Sequence, residues 1–243
     1  RDYAVTGVQT CALPICKIGG NHYLLPITQH YVAFFYNKPV FERLNLAIPK
    51  DWESFLAVCE SLKGEGINPI GLGSKDRWPA QFWFDYLLLR SQPIEVRRQL
   101  MEGELSYTSE AVYDAFEKWK LLIDNGYFNE NPNEFEWHKM PLEGIASGEV
   151  GMTLMGTWAI SVLENDYELV ADKDFGFFEF PAIDDKLPLV ALGPVDGIVV
   201  PRHSVNVEGA MKAIEFFSRP ESQAAMAKGS GALSPSMQVG DDT

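Results

Sequence analysis

The run GMTLMGTWAISVL, residues 151–163, constrains the fold more than any other stretch of the chain. A strand-like apolar run reaches Gly156, and a helix-like pattern resumes at once with Trp158. Glycine between a strand pattern and a helix pattern marks a tight strand-to-helix turn. In open α/β sheets such turns stand at the strand ends where ligands bind. Trp158 then belongs to the first turn of a helix at that lip. Core packing accounts equally well for so large an apolar ring, and this stretch alone leaves both readings open.

The same alternation recurs along the chain. Asp51 opens a helix to about Gly64, with Phe55, Val58, Cys59 and Leu62 on one apolar stripe and Gly64 or Gly66 as its stop. Cys59 lies on that stripe and reads as core. INPIGLG (67–73) reads as a short buried strand. Pro79 opens the helix PAQFWFDYLLLR, with proline at a tolerated first position. PIEVRRQLM and TSEAVYDAFEKWKLLIDNG follow as helices, the second capped by Thr108 or Ser109 and ended by Gly126. A helix near 141–148 and a strand at 150–155 precede the Trp158 helix. FGFFEFP (175–181), LVALG (189–193) and GIVVP (197–201) read as strands, NVEGAMKAIEFFS and PESQAAMAKGS as closing helices. Strands interleaved with helices indicate an α/β fold.

Charge narrows the function classes. The 243 residues carry 34 Asp+Glu against 20 Lys+Arg, a formal net charge of −14. Nucleic acid, whose phosphates need clustered Lys and Arg, is not an expected partner. No apolar run approaches the ~20 residues of a membrane span. Residues 1–15, RDYAVTGVQTCALPI, read like a translated sequencing-library adapter with Tyr3–Ala4 as its index, and Cys16 sits at the joint. Residues 1–16 are therefore expected to be non-native and are set apart from fold reasoning. Only Cys59 then counts as native, and cysteine content is silent on compartment.

Catalytic motifs are sparse. There is no Walker loop, no G-x-S-x-G, and no strand-linked G-x-G-x-x-G. KGSGALS (228–234) follows a helix and reads as its stop. His22, His30, His138 and His203 show no i,i+4 pairing, so neither a metal site nor a cofactor is expected. Carboxylate pairs for glycoside hydrolysis exist in any chain this acidic, and nothing singles one out. What stands out is aromatic residues beside polar ones at turns: Asp76 and Trp78 in GSKDRWPAQFW, Trp158 in MGTW, Gln29, His30 and Tyr31 in LPITQHYVAFFYNK, and Asp196 in GPVDGIVV. A flat indole covers the apolar face of a pyranose, while carboxylate, amide or imidazole groups bond its hydroxyl rim. Core aromatics and solvated loop acids remain the alternative.

LPITQHYVAFFYNKPVFERLNLAIPKDWESFLAVCESLKGEGINPIGLG resembles the carbohydrate (maltose-binding-protein-like) class of bacterial extracellular solute-binding proteins, the receptors of ABC importers. FWFDYLLLR, GEVGMTLMGTW, FGFFEFPAID, GPVDGIVVP and AIEFFSRPESQAAMAKGSGALSP extend the resemblance from Lys17 to the end. It implies a periplasmic-binding-protein-like α/β fold of two lobes joined by a hinge, with ligand held in the cleft and the chain truncated at both ends. Residues 17–29 and 194–243 would belong to a partial first lobe and 30–193 to a nearly complete second, with hinge crossings near 29–32 and 190–195.

The resemblance also implies sugar-contacting positions. His30 falls where a carboxylate or amide bonds sugar hydroxyls, Asp76 on an acidic contact, Trp78 on an aromatic one, and Trp158 on the stacking tryptophan of the G-x-W turn. Asp196 lies by the second crossing, and His138 is a weaker candidate. His30 in place of a carboxylate or amide, and Met155 where an asparagine can stand, prevent the preferred sugar from being carried over. The implied protein is a monomeric, non-catalytic receptor, periplasmic or lipid-anchored outside the membrane, that delivers a mono- or oligosaccharide to the transmembrane subunits of an ABC permease. The resemblance also implies an export signal, expected to lie outside this sequence. The alternatives are a glycan-cleaving hydrolase using Asp76 with another acid, and a same-fold binder of a non-sugar ligand such as a polyamine.

Overall fold

A computed structural model describes residues 17–18, 21–230 and 232–235; the segment 1–16, read as non-native, lies outside them. The chain runs β1 (Lys17–Ile18), β2 (Asn21–His22), β3 (Leu25–Gln29), β4 (Val32–Asn37), α1 (Lys38–Arg43), α2 (Trp52–Gly64), β5 (Asn68–Gly71), α3 (Trp78–Ser91), α4 (Ile94–Glu102) and α5 (Glu110–Asp124). It continues through α6 (Met140–Ser147), β6 (Val150–Gly156), α7 (Trp158–Asn165), β7 (Phe175–Phe178), β8 (Val195–Ile198), α8 (Val207–Phe217) and α9 (Pro220–Ser230). It divides into two compact units, Val32–Leu192 and the flanking segments up to Tyr31 and from Gly193. The architecture is mixed α/β. Among the described residues no helix is long and apolar enough to cross a membrane.

Within Val32–Leu192 the sheet has the order β5-β6-β4-β7. β5 pairs parallel with β6, and β4 pairs antiparallel with both β6 and β7. Every residue of β6 is buried, because helices cover both sheet faces. Phe34 points into a core built with Phe55, Cys59 and Leu62 of α2 and Trp83 and Leu87 of α3. Its neighbour Phe35 points the other way, onto Leu142 and Ile145 of α6 and Ala159 and Leu163 of α7. The Phe34 ring stacks on Phe178 at 5.0 Å and meets Phe55, Trp83 and Phe180 within 5.6 Å. Burial among these groups pushes the Cys59 thiol far above its ordinary range, as a core cysteine requires.

Local chemistry sets the helix starts. Asp51 and Ser54 form a reciprocal capping box at the head of α2, where the sequence places the start. Asn37 does more: its Oδ1 accepts from the Val40 amide at 2.7 Å, and its Nδ2 donates to the Ile145 carbonyl at 2.7 Å. Asn37→Ala removes a cap and orphans a buried carbonyl. It is expected to cost about 2–3 kcal/mol in denaturant unfolding; Asn37→Asp, which keeps only the cap, should recover part of this loss.

Three sequence expectations are corrected here. LVALG (189–193) is not a strand: its backbone groups are met by Tyr86 and Arg90 of α3 and by Val32 rather than by a ladder. The GIVVP strand begins earlier, at Val195, and stops at Ile198, because its partner β3 begins at Leu25, opposite Ile198. Ser109, one of the two cap candidates, does occupy the cap position of α5, although its buried hydroxyl finds no hydrogen-bond partner among the described residues. Pro79 is the second residue of α3, after Trp78.

In the other unit β3 and β8 pair antiparallel, with Leu25, Val200 and Ile214 as a small core. Gln223 of α9 is buried and donates from Nε2 to the carbonyls of Pro26 and Phe217, tying that helix to β3.

Candidate functional site

Parallel pairing of β5 with β6 sets their carboxyl ends side by side, so the turns that follow them are neighbours. Trp78 begins α3 after one turn, and Trp158 begins α7 after the other. Their rings meet edge to face at 5.7 Å. Trp137, from the loop before α6, closes the group at 6.1 Å from Trp78 and 6.4 Å from Trp158, and Phe82 lies against both Trp78 and Trp158. All four rings are half-buried.

Gly156 answers the question raised by the opening stretch. A Cβ there would stand 2.1 Å from the Trp158 indole, which folds back across the bare glycine. The glycine is thus a seat for the ring as well as a turn. Gly73 plays a like part below Trp137: a Cβ there would meet the Glu136 carbonyl oxygen at 2.4 Å, so the bare backbone lets the 136–137 segment close in.

Polar groups border the rings. Lys75 Nζ lies 3.0 Å from Glu136 Oε1, and His138 Nε2 lies 3.5 Å from Glu136 Oε2. The Lys75 hydrogen bond and charge hold the Glu136 carboxyl below its usual range. Asp76 is exposed in the tight turn ahead of Trp78, where its carbonyl accepts from the Trp78 amide at 2.8 Å. Arg77, between them, takes a left-handed conformation with φ of 68°, uncommon for a side-chain-bearing residue.

His30 and Asp196 belong to the other unit, and there they are together. Register pairs Asp196 with Thr28, whose hydroxyl donates to Asp196 Oδ2 at 2.8 Å; His30 Nε2 lies 3.4 Å from the same oxygen. The His30 side chain is 6 % exposed and that of Asp196 68 %. Burial, opposed by the Asp196 charge, keeps the imidazole below its ordinary pKa. The folded state therefore favours neutral His30, and the stability this contributes is present above the ordinary value of 6.5 and lost as pH falls below it. Thermal unfolding of the wild type is expected to lose more stability between about pH 7 and pH 5 than that of His30→Gln; equal pH slopes would contradict this.

The five sequence-named residues thus fall into two groups: Asp76, Trp78 and Trp158 in one unit, His30 and Asp196 in the other. His138 joins the first group through Glu136. Trp137 was missed. It sits in a loop without periodicity, but EFEWHKM shows the same aromatic-beside-polar pattern that marked the other turns.

Three indoles and a phenyl ring thus gather at adjacent parallel strand ends, with Lys75, Asp76, Glu136 and His138 beside them. The chain belongs to the bacterial extracellular solute-binding proteins: that family matches residues 2–224, a range that includes most of the segment set apart above as non-native. It is 27% identical over 214 residues to an uncharacterized ABC transporter extracellular-binding protein of Pyrococcus horikoshii, across 85% of this chain and 45% of that one. It is 35% identical over 92 residues to the alpha-glucosides-binding periplasmic protein AglE of Rhizobium meliloti, across 36% of this chain and 20% of that one. Its fold matches a chitin oligosaccharide binding protein with a TM-score of 0.85 at 24% identity, over 99% of this chain and 63% of the other. The chain spans about half the length of curated relatives that it matches over most of its own length. The family and these neighbours are binding proteins.

Proposed function

We propose that this chain is part of the substrate-binding component of an ABC sugar importer, a receptor that captures a mono- or oligosaccharide and delivers it to the permease without chemical change. The observation that carries this reading is the Trp78, Trp137, Trp158 and Phe82 group at the ends of β5 and β6. Indoles offer flat apolar faces to pyranose C–H groups, and Glu136, His138 and Asp76 supply bonds to hydroxyls. Membership of the solute-binding family supports it. His30 and Asp196 are proposed as a second sugar-contacting pair on their own unit, the two units being the lobes of the receptor. The receptor acts as a monomer, in the periplasm or lipid-anchored outside the membrane, and residues 1–16 are foreign to it.

The test is calorimetry on the full-length gene product with a library of neutral mono- and oligosaccharides, followed by product analysis of the same mixtures. Saturable binding with the sugar recovered intact is expected. Turnover would instead make the protein a hydrolase. Binding confined to cations, and abolished by salt, would make it a polyamine receptor.

A further inference from the structure

β5 is an edge strand of the sheet in the Val32–Leu192 unit, and the segment 127–139, between α5 and α6, lies along its open edge. The Ile70, Leu72 and Ser74 amides follow one another at the alternate-residue spacing of a strand. They donate to the Tyr127 carbonyl at 2.9 Å, to Asn129 Oδ1 at 2.7 Å and to the Pro132 carbonyl at 2.8 Å. The Asn129 amide returns a bond to the Ile70 carbonyl at 3.3 Å. A regular ladder stops there, because Asn131 is left-handed, with φ of 51°, and Pro132–Glu134 forms a 3-10 turn. The Asn129 side chain therefore supplies the acceptor that the buried Leu72 amide needs. The Ser74 hydroxyl then donates to Asn133 Oδ1 at 2.8 Å, and the Lys75 amide to the Phe135 carbonyl at 3.0 Å. Asn129 and Ser74 are both 4% exposed.

Trp137 follows directly on this seam. Gly73 lets its backbone come close: a Cβ there would stand 3.0 Å from the Trp137 Cα. Beyond it, the Tyr167 hydroxyl donates to the His138 carbonyl at 3.3 Å. The backbone is thus held on both sides of an indole that belongs to no helix or strand. We infer that Asn129 and Ser74 are positioning residues for the ligand. They pin the loop to the edge of β5 and so hold Trp137 against Trp78 and Trp158, at 6.1 and 6.4 Å, before any sugar arrives. This inference rests on the reading of the indole group as the sugar site. Holding the ring in advance matters because a side chain that must be ordered on binding weakens affinity by its lost rotamer freedom.

Asn129→Ala in the full-length protein tests this, with Asn129→Asp as the conservative variant that keeps an acceptor for the Leu72 amide. The indole N–H signals are followed by NMR, that of Trp137 being assigned by its loss in Trp137→Phe. Affinity for neutral oligosaccharides is measured by calorimetry. In Asn129→Ala the Trp137 signal is expected to move more than those of Trp52 and Trp119, and affinity to fall about three- to tenfold. Asn129→Asp should restore both. Should Asn129→Ala unfold, Ser74→Ala, which removes only the bond to Asn133, is expected to move the Trp137 signal in a folded protein. A Trp137 signal displaced no more than those of Trp52 and Trp119 would overturn the inference, and so would a displaced signal with full affinity. Absence of sugar binding by the wild type would overturn the sugar reading and with it the role in affinity. The Trp137 signal alone would then still decide whether Asn129 holds the loop.

Discussion

Trp83→Ala should cost about 3–5 kcal/mol of unfolding free energy, and Trp83→Phe only about 1. Trp83 is fully buried and packs against Phe34, Phe128 and Phe180 at 5.6, 4.9 and 5.9 Å. Its indole Nε1 has no hydrogen-bond partner among the described residues. Phenylalanine therefore forfeits no bond and keeps most of the ring contacts, whereas alanine opens a cavity where α3 meets β4. Denaturant titration of both variants measures the pair. Equal losses would mean that the indole N–H is bonded after all; a loss below about 1 kcal/mol for alanine would mean that this core is not organised around the ring.

Trp158→Ala, made in the full-length protein, is expected to weaken sugar binding 30- to 100-fold. Stacking an indole on a sugar face removes roughly 100 Å² of apolar surface from water, worth ~2.5 kcal/mol at ~25 cal/mol per Å², and each 1.4 kcal/mol is about tenfold in affinity. Because Trp158 is half-buried, its truncation should cost less stability than that of Trp83. Gly156→Ala provides a control that leaves the indole present. Its methyl would stand 2.1 Å from the ring in its present seat, so the ring must move, and affinity should fall without loss of the side chain. Intact affinity in both variants, with stability lost, would return Trp158 to the core.

The parts of the fold that were legible in the sequence are those carried by local pattern. The stripe Phe55, Val58, Cys59 and Leu62 defines the buried face of α2, and the Gly156 junction separates β6 from α7 where the residues change character. What was not legible depends on residues far apart in the chain. Val190 and Leu192 look like strand residues, but α3 side chains take their backbone bonds, and no window around 190 contains that fact. The end of β8 is set by where β3 begins. At the candidate site, residue types were readable and groupings were not. Trp78 and Trp158 meet because β5 and β6 are parallel neighbours; His30 and Asp196 meet because Thr28 and Asp196 share a register. Trp137 arrives from a loop, where periodicity gives no guide.

The central claim is that the indoles at the ends of β5 and β6 are a sugar platform, and the chain carries six tryptophans that can report on it separately. Each indole N–H gives its own NMR signal, and a titration with neutral oligosaccharides follows all of them at once. Because this chain spans only part of its relatives' length, binding is expected to be weak, with Kd near or above about 1 mM, or roughly −4 kcal/mol. Exchange is then fast, and shifts are read directly. The account predicts saturable shifts at Trp78, Trp137 and Trp158 that share one Kd, with Trp52, Trp83 and Trp119 unmoved. Shifts confined to Trp119 on α5, or silence at all three strand-end indoles up to about 100-fold that concentration, would contradict it.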